Sequence, residues 1–366
     1  PVGVFMVDDN WQNYYGNFDF RADRFPDPKA MMDRLHAKGF KVMFWVCPFV
    51  SPASAEFREL NKAGLLLKEK GKKGPAMVEW WNGISACYDL TNPKAREHLK
   101  GKLAAMREKY GADGFKFDAG DKGAVSNGVE FFGGATPSDY CEAWAKMGLD
   151  FPYNEYRACW KMGLQPLVQR LQDKPCSWAG IRQLIPDMLA AGLIGHPYSC
   201  PDMIGGGEFR SFLNPDMTPI DPSKIDQKLI VRSCQIHALM PMMQFSVAPW
   251  RVLSKENMEI CRKFANLHKE FGPYILELAR NAAKTGEPIV RYMEYEFPNQ
   301  GFEEVKDQFM LGPRYLVAPV LAEADEREVS LPAGEWKDDL GKVWKGGQTI
   351  KIDVPIDRLP YFEKLK

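Results

Sequence analysis

Strand-like and helix-like stretches alternate about eight times over the first ~280 residues, and this rhythm limits the fold more than any other feature. Apolar runs at 2–7, 41–46, 115–118, 153–158, 166–173, 197–201 and 239–245 carry the strand pattern. Between them, residues 28–39, 56–67, 96–110, 138–147, 183–193, 224–237 and 255–283 carry the helical one. Thr91-Asn92-Pro93 caps the 96–110 helix with proline just inside its start. The alternation predicts an α/β fold, a closed (β/α)8 TIM barrel over residues 1–285. From Glu287 short runs separated by turn residues replace it, predicting a small all-β sandwich over 286–366, with a turn at 331–336. A glycine-rich loop is expected at 126–134 and a solvated basic turn at 68–73.

Within that frame, Gly114-Phe115-Lys116-Phe117-Asp118-Ala119-Gly120-Asp121 stands out. Alternate residues of a strand share a face, so Lys116 and Asp118 project together while Phe115 and Phe117 enter apolar packing. A cation near a carboxylate favours its ionised form, as a carboxylate nucleophile requires. Ala119-Gly120 ends the strand and permits a close approach. A lone Lys-x-Asp would equally suit a structural ion pair, so the rest of the chain must decide.

Composition excludes several classes. Forty-eight basic residues balance forty-eight acidic ones with no basic stripe, which argues against nucleic acid or an anionic membrane as partner. Eight cysteines lie scattered without a Cys-x-x-Cys pair, and five histidines form no metal-ligand spacing, so no metal site is expected. No apolar run reaches membrane length, and no signal peptide is read. Oligomeric state and compartment are not legible. Aromatics make up 12% of the chain, including ten tryptophans, and several near strand ends suit a sugar ring.

Catalytic groups on such barrels come from the carboxyl ends of different strands. The polar residues there are Asp8, Asp9, Trp45, Asp89, Lys116, Asp118, Arg157, Asp173 and Asp202. Two carboxylates in different settings suit glycoside hydrolysis, where one attacks and the other protonates the leaving oxygen. Asp89 fits a structural cap better than a ligand.

At these positions the chain resembles glycoside hydrolase family 31, the retaining α-glycosidases. Lys116, Asp118 and Asp121 match the family's Lys-x-Asp-x-x-acid motif, and Arg157 precedes Asp173 by sixteen residues, as a substrate-binding Arg precedes the family's acid/base. Pro201-Asp202-Met203-Ile204-Gly205-Gly206 matches its His-Asp-Ile-Gly-Gly turn, Trp81-Asn82-Gly83 its Trp-Pro-Gly loop, and Trp45-Val46-Cys47-Pro48 its second strand end. Gln308 to Pro313 and Leu316 to Val320 fit its proximal β-sandwich. The resemblance implies Asp118 as nucleophile and Asp173 as acid/base. It also implies Asp8, Asp9, Trp45, Trp81, Lys116, Arg157 and Asp202 around a small carbohydrate substrate, with no cofactor. It departs at Pro201, which replaces a His, and at Arg170-Leu171-Gln172, which replaces an aromatic-Gly segment. The family's N-terminal β-sandwich is missing from the chain as read. Asp8-Asp9 and the Pro-Asp turn resemble the branch of α-galactosidases and the myogenesis-regulating glycosidase, which implies α-galactosidase activity. α-Glucosidase or α-xylosidase activity and a catalytically silent sugar-binding barrel are the alternatives. A magnesium-dependent phosphoryl-transfer site built from Asp8, Asp9, Asp118 and Asp121 lacks the phosphate loop it would need.

Overall fold

The structure, a computed structural model, describes residues 2–121, 125 and 128–365, so the end positions 1 and 366 of the two expected domains and positions 126–127 of the glycine-rich loop lie outside it. The chain forms two compact units, Val2–Gln169 and Arg170–Lys366.

In the first unit, the strands Val4–Val7, Lys41–Val46, Gly114–Phe117 and Tyr153–Tyr156 pair in parallel in that order. The register sets Trp45 beside Lys116 and Phe117 beside Tyr156. Gln169 adds the start of a further parallel strand on Tyr156. Helices Pro28–Ala37, Pro93–Tyr110 and Pro137–Met147 supply the crossovers, each starting on proline behind an Asp, Asn or Thr cap. Gly114–Phe117 and residues 42–46 are buried on both faces and read as largely apolar runs for that reason, whereas Val4 and Phe5 of the first strand are exposed. An antiparallel hairpin, Met77–Trp80 with Gly83–Cys87, is inserted on the Trp81-Asn82 turn.

In the second unit, Leu171 donates its N–H to the Cys200 carbonyl at 2.9 Å, and helices Trp178–Leu193, Gln227–Ala238 and Lys255–Thr285 follow. The strand expected over 239–245 does not form. Pro241 cannot donate to a ladder, and only a bridge between Ile204 and Phe245 remains there. The strand expected over 166–173 shrinks to Gln169–Arg170. Beyond Glu287 the chain builds two antiparallel layers. Six strands are ordered Val290–Arg291, Phe309–Leu311, Tyr315–Val317, Tyr361–Lys364, Glu335–Asp338 and Val343–Lys345, beside a pair, Glu326–Leu331 with Gln348–Asp353. Val329, Ile350 and Ile352 of the pair share one apolar cluster with Met310, Leu316, Trp336 and Phe362 of the larger sheet. The strand Glu335–Asp338 begins inside the stretch read as a turn, because Trp336 is buried as core.

Candidate active site

Asp118 follows the Gly114–Phe117 strand, and its N–H continues the ladder to the Val46 carbonyl at 2.9 Å. The chain then turns sharply, with Ala119 at φ 57° and Gly120 at φ 74°. Gly120 is needed twice over, since a Cβ there would run into the Trp144 indole. The close approach expected at Ala119-Gly120 is this contact with Trp144.

The Asp118 carboxylate is buried and held from several sides. The Trp45 indole N–H donates to Oδ2 at 2.7 Å, the Ala119 N–H to Oδ1 at 2.8 Å, and Arg157 Nε lies 3.5 Å from Oδ1. Burial alone would raise its pKa; the charges of Lys116 and Arg157, with those two donors, overcome burial and hold it below the usual value. The Lys116 ammonium is 2.9 Å from Asp8 Oδ2. Arg157 is anchored by its Nε on Asp121 Oδ2 at 2.9 Å, and its guanidinium lies 5.1 Å from the centre of the Trp81 ring.

Trp45 is 1% exposed, so it is a donor to Asp118 rather than an open wall, whereas Trp81 is 49% exposed. Trp80, on the same hairpin, stacks with Trp45 at 6.4 Å and 9°. Asp9 accepts the Tyr15 hydroxyl at 3.0 Å and the Asn82 amide at 2.6 Å. Burial raises the Asp9 carboxyl, against the pull of those bonds. Tyr15, Trp80 and Asn82 were not legible as site residues. Asp89 caps Thr91 and accepts the Phe132 N–H at 2.9 Å, as a structural role requires.

The second unit carries Asp173 and Asp202. Asp173 is exposed, with its Oδ1 ion-paired to Arg170 Nη1. Asp202 is fully buried and accepts the N–H groups of Met203, Lys174 and Gly207 at 2.7, 2.8 and 3.0 Å. Burial raises the Asp202 carboxyl, and those three donors with Arg170 draw it back only in part. The sequence reading made Asp202 a sugar ligand; here it is fully enclosed and filled by backbone donors. His237 lies beneath it, Nε2 being 3.1 Å from the Asp202 carbonyl, and burial lowers that imidazole to about 4. Among the described residues no group of three His, Cys, Asp or Glu could hold a metal, and no helix is long and apolar enough to cross a membrane.

The family profile "Glycosyl hydrolases family 31 TIM-barrel domain" matches residues 1–165, and "Glycosyl hydrolase family 31 C-terminal domain" matches 286–365. The mouse myogenesis-regulating glycosidase is 35% identical over 361 residues, covering 96% of this chain and 50% of that protein. The α-xylosidase XylQ of Lactiplantibacillus pentosus is 26% identical, covering 97% of this chain and 49% of its own. The chain thus spans about half the length of these curated relatives. The Flavobacterium johnsoniae GH31 dextranase superposes with a TM-score of 0.88 at 25% identity, over 100% of this chain and 48% of that one. A TIM-barrel domain followed by an all-β C-terminal domain, together with these relatives, places the chain in glycoside hydrolase family 31.

Proposed function

We propose that this chain hydrolyses a terminal α-linked sugar with retention, Asp118 attacking the anomeric carbon and Asp173 protonating the leaving oxygen. The observation that carries the reading is the Asp118 carboxylate, buried yet held ionised by Lys116, Arg157 and the Trp45 and Ala119 donors. A carboxylate kept unprotonated at a strand tip is poised to form a glycosyl-enzyme, and water activated by Asp173 then releases the sugar. In this reading Asp8, Asp9, Lys116, Trp45, Trp81 and Arg157 shape the sugar subsite, and the reaction uses side chains alone.

The sugar is the finer question. The Asp8-Asp9 pair and the Pro201-Asp202 turn support an α-galactoside, because Asp9 can meet an axial 4-hydroxyl. Relatives named as α-xylosidases, and one named as a probable glucan 1,3-α-glucosidase, give equal weight to an α-xyloside or α-glucoside. Nitrophenyl α-galactoside, α-glucoside and α-xyloside, with their β-anomers, test both levels. Turnover of one α-anomer that is abolished in Asp118→Asn supports the activity. Sugar binding without turnover of any substrate points instead to the silent carbohydrate-binding barrel.

A further inference from the structure

Arg170 is 4% exposed and sits at the start of the second unit. Its Nη1 is ion-paired with Asp173 Oδ1, donates to the Leu171 carbonyl at 3.2 Å and lies 3.5 Å from Asp202 Oδ1. Asp202 in turn binds the N–H of Lys174, the residue that follows Asp173. Asp173 is therefore gripped at its side chain by Arg170 and at its adjoining main chain by Asp202. Gly207 completes the cradle: a Cβ there would fall against Oδ1 of both Asp173 and Asp202. Without such a grip, a half-exposed carboxylate would sample several rotamers.

We propose that Arg170 is a positioning residue for Asp173. This rests on the acid/base role proposed above and deepens it. The ion pair engages Oδ1, so Oδ2 is the oxygen that carries the proton toward the leaving group. The guanidinium, tied through the same Nη1 to the Leu171 carbonyl and lying near Asp202 Oδ1, holds Asp173 Oδ1 in a fixed direction that a lysine ammonium on its flexible stem holds less firmly. In the glycosylation step, which kcat/KM reads, the grip matters where the proton must be delivered, since a misplacement of about 1 Å costs on the order of a hundredfold. It makes little difference to a leaving group that departs unassisted.

The test compares Arg170→Leu, Arg170→Lys and wild type on two substrates of the preferred sugar, a disaccharide and the glycosyl fluoride. Arg170→Leu should lose about tenfold to a hundredfold in kcat/KM on the disaccharide and stay within about threefold on the fluoride. Arg170→Lys should fall between it and wild type. The fluoride rate reports folding in the same preparation, and if Arg170→Leu does not fold, Arg170→Lys carries the comparison. Equal losses on the two substrates, or none, overturn the proposal. Asp173→Ala with azide separates it from the reading beneath. Asp173→Ala should lose the disaccharide selectively, and azide should restore turnover of the fluoride as an α-glycosyl azide. If it does so while the Arg170 variants do not discriminate, only the positioning role fails. If Asp173→Ala does not discriminate either, or wild type turns over neither substrate, both fail.

Discussion

Lys116 places its ammonium 2.9 Å from Asp8 Oδ2, although Asp118 stands two residues along on the same strand face. Its charge is nonetheless the leading influence that lowers the Asp118 carboxyl against burial. Lys116→Met should move the acidic limb of the kcat/KM profile to higher pH, because the nucleophile then protonates sooner on acidification. The linkage to stability has the same origin. Asp118 has a depressed folded pKa, so its contribution is present above the unfolded value of about 3.9 and is lost as pH falls through the folded value. That contribution should shrink in Lys116→Met, which acid unfolding measures. An acidic limb that does not move would confine Lys116 to its bond with Asp8.

Trp45→Phe keeps a large ring in a fully enclosed position while deleting the 2.7 Å donor to Asp118. Hydrogen bonds to charged groups contribute about 1.5–3 kcal/mol, so kcat/KM should fall roughly tenfold to a hundredfold. The loss should be similar on activated and unactivated leaving groups, because it acts on the nucleophile. A variant as active as wild type would leave Trp45 with packing alone.

How much of this was legible follows from range. The Lys116/Asp118 strand, the Asn92-Pro93 cap and the all-β texture after Glu287 are local patterns, and each formed where its residues indicated. Partnerships across long separations were not legible. The bond from Trp45 to Asp118 spans 73 residues, as does that from Asn82 to Asp9. Nothing near Trp45 distinguishes a donor from a pocket wall. Asp202 looked like a ligand because its turn matches the family's His-Asp-Ile-Gly-Gly motif, yet that turn wraps its own backbone N–H groups around the carboxylate. Arg170 registered only as a departure from a familiar pattern, and its target three residues on became clear from the side chain's direction.

Arg232 offers a prediction away from the chemistry. It is fully buried on the helix Gln227–Ala238, and Nη2 donates to the carbonyls of Val354 and Ala324 at 2.6 and 3.1 Å and to Asp325 at 3.3 Å. Nη1 donates to Gln235 Oε1 at 3.0 Å. This one side chain ties a barrel helix to the all-β region within the same compact unit. Arg232→Met strands several buried carbonyls and should cost about 3–5 kcal/mol, seen as a lower thermal midpoint. The folded variant should keep its wild-type kcat/KM. An unchanged midpoint would show that water or neighbouring donors replace the guanidinium.

Asn82 stands where the resembling loop has proline, and its amide binds Asp9 Oδ2 at 2.6 Å and the Tyr15 hydroxyl at 2.8 Å. It thereby couples the Trp81-bearing hairpin turn to the acidic end of the first strand. Burial raises the Asp9 carboxyl while the Asn82 and Tyr15 bonds oppose it, so deleting Asn82 should raise it further. With a raised folded value, the contribution of Asp9 to stability is complete below its unfolded pKa and declines as pH rises through the folded one. In the proposed subsite, Asp9 meets the far hydroxyls of the sugar, remote from the bond that breaks. Asn82→Pro should therefore raise KM several-fold with kcat changed by less than about twofold, the mark of lost uniform binding. The loss should also be uneven across α-galactoside, α-glucoside and α-xyloside, which differ in the 4-hydroxyl or in the group at C5. The preferred sugar should lose most. Equal losses on all three, or a fall in kcat alone, would remove Asp9 and Asn82 from sugar selection and leave them a hydrogen-bonded brace for the hairpin.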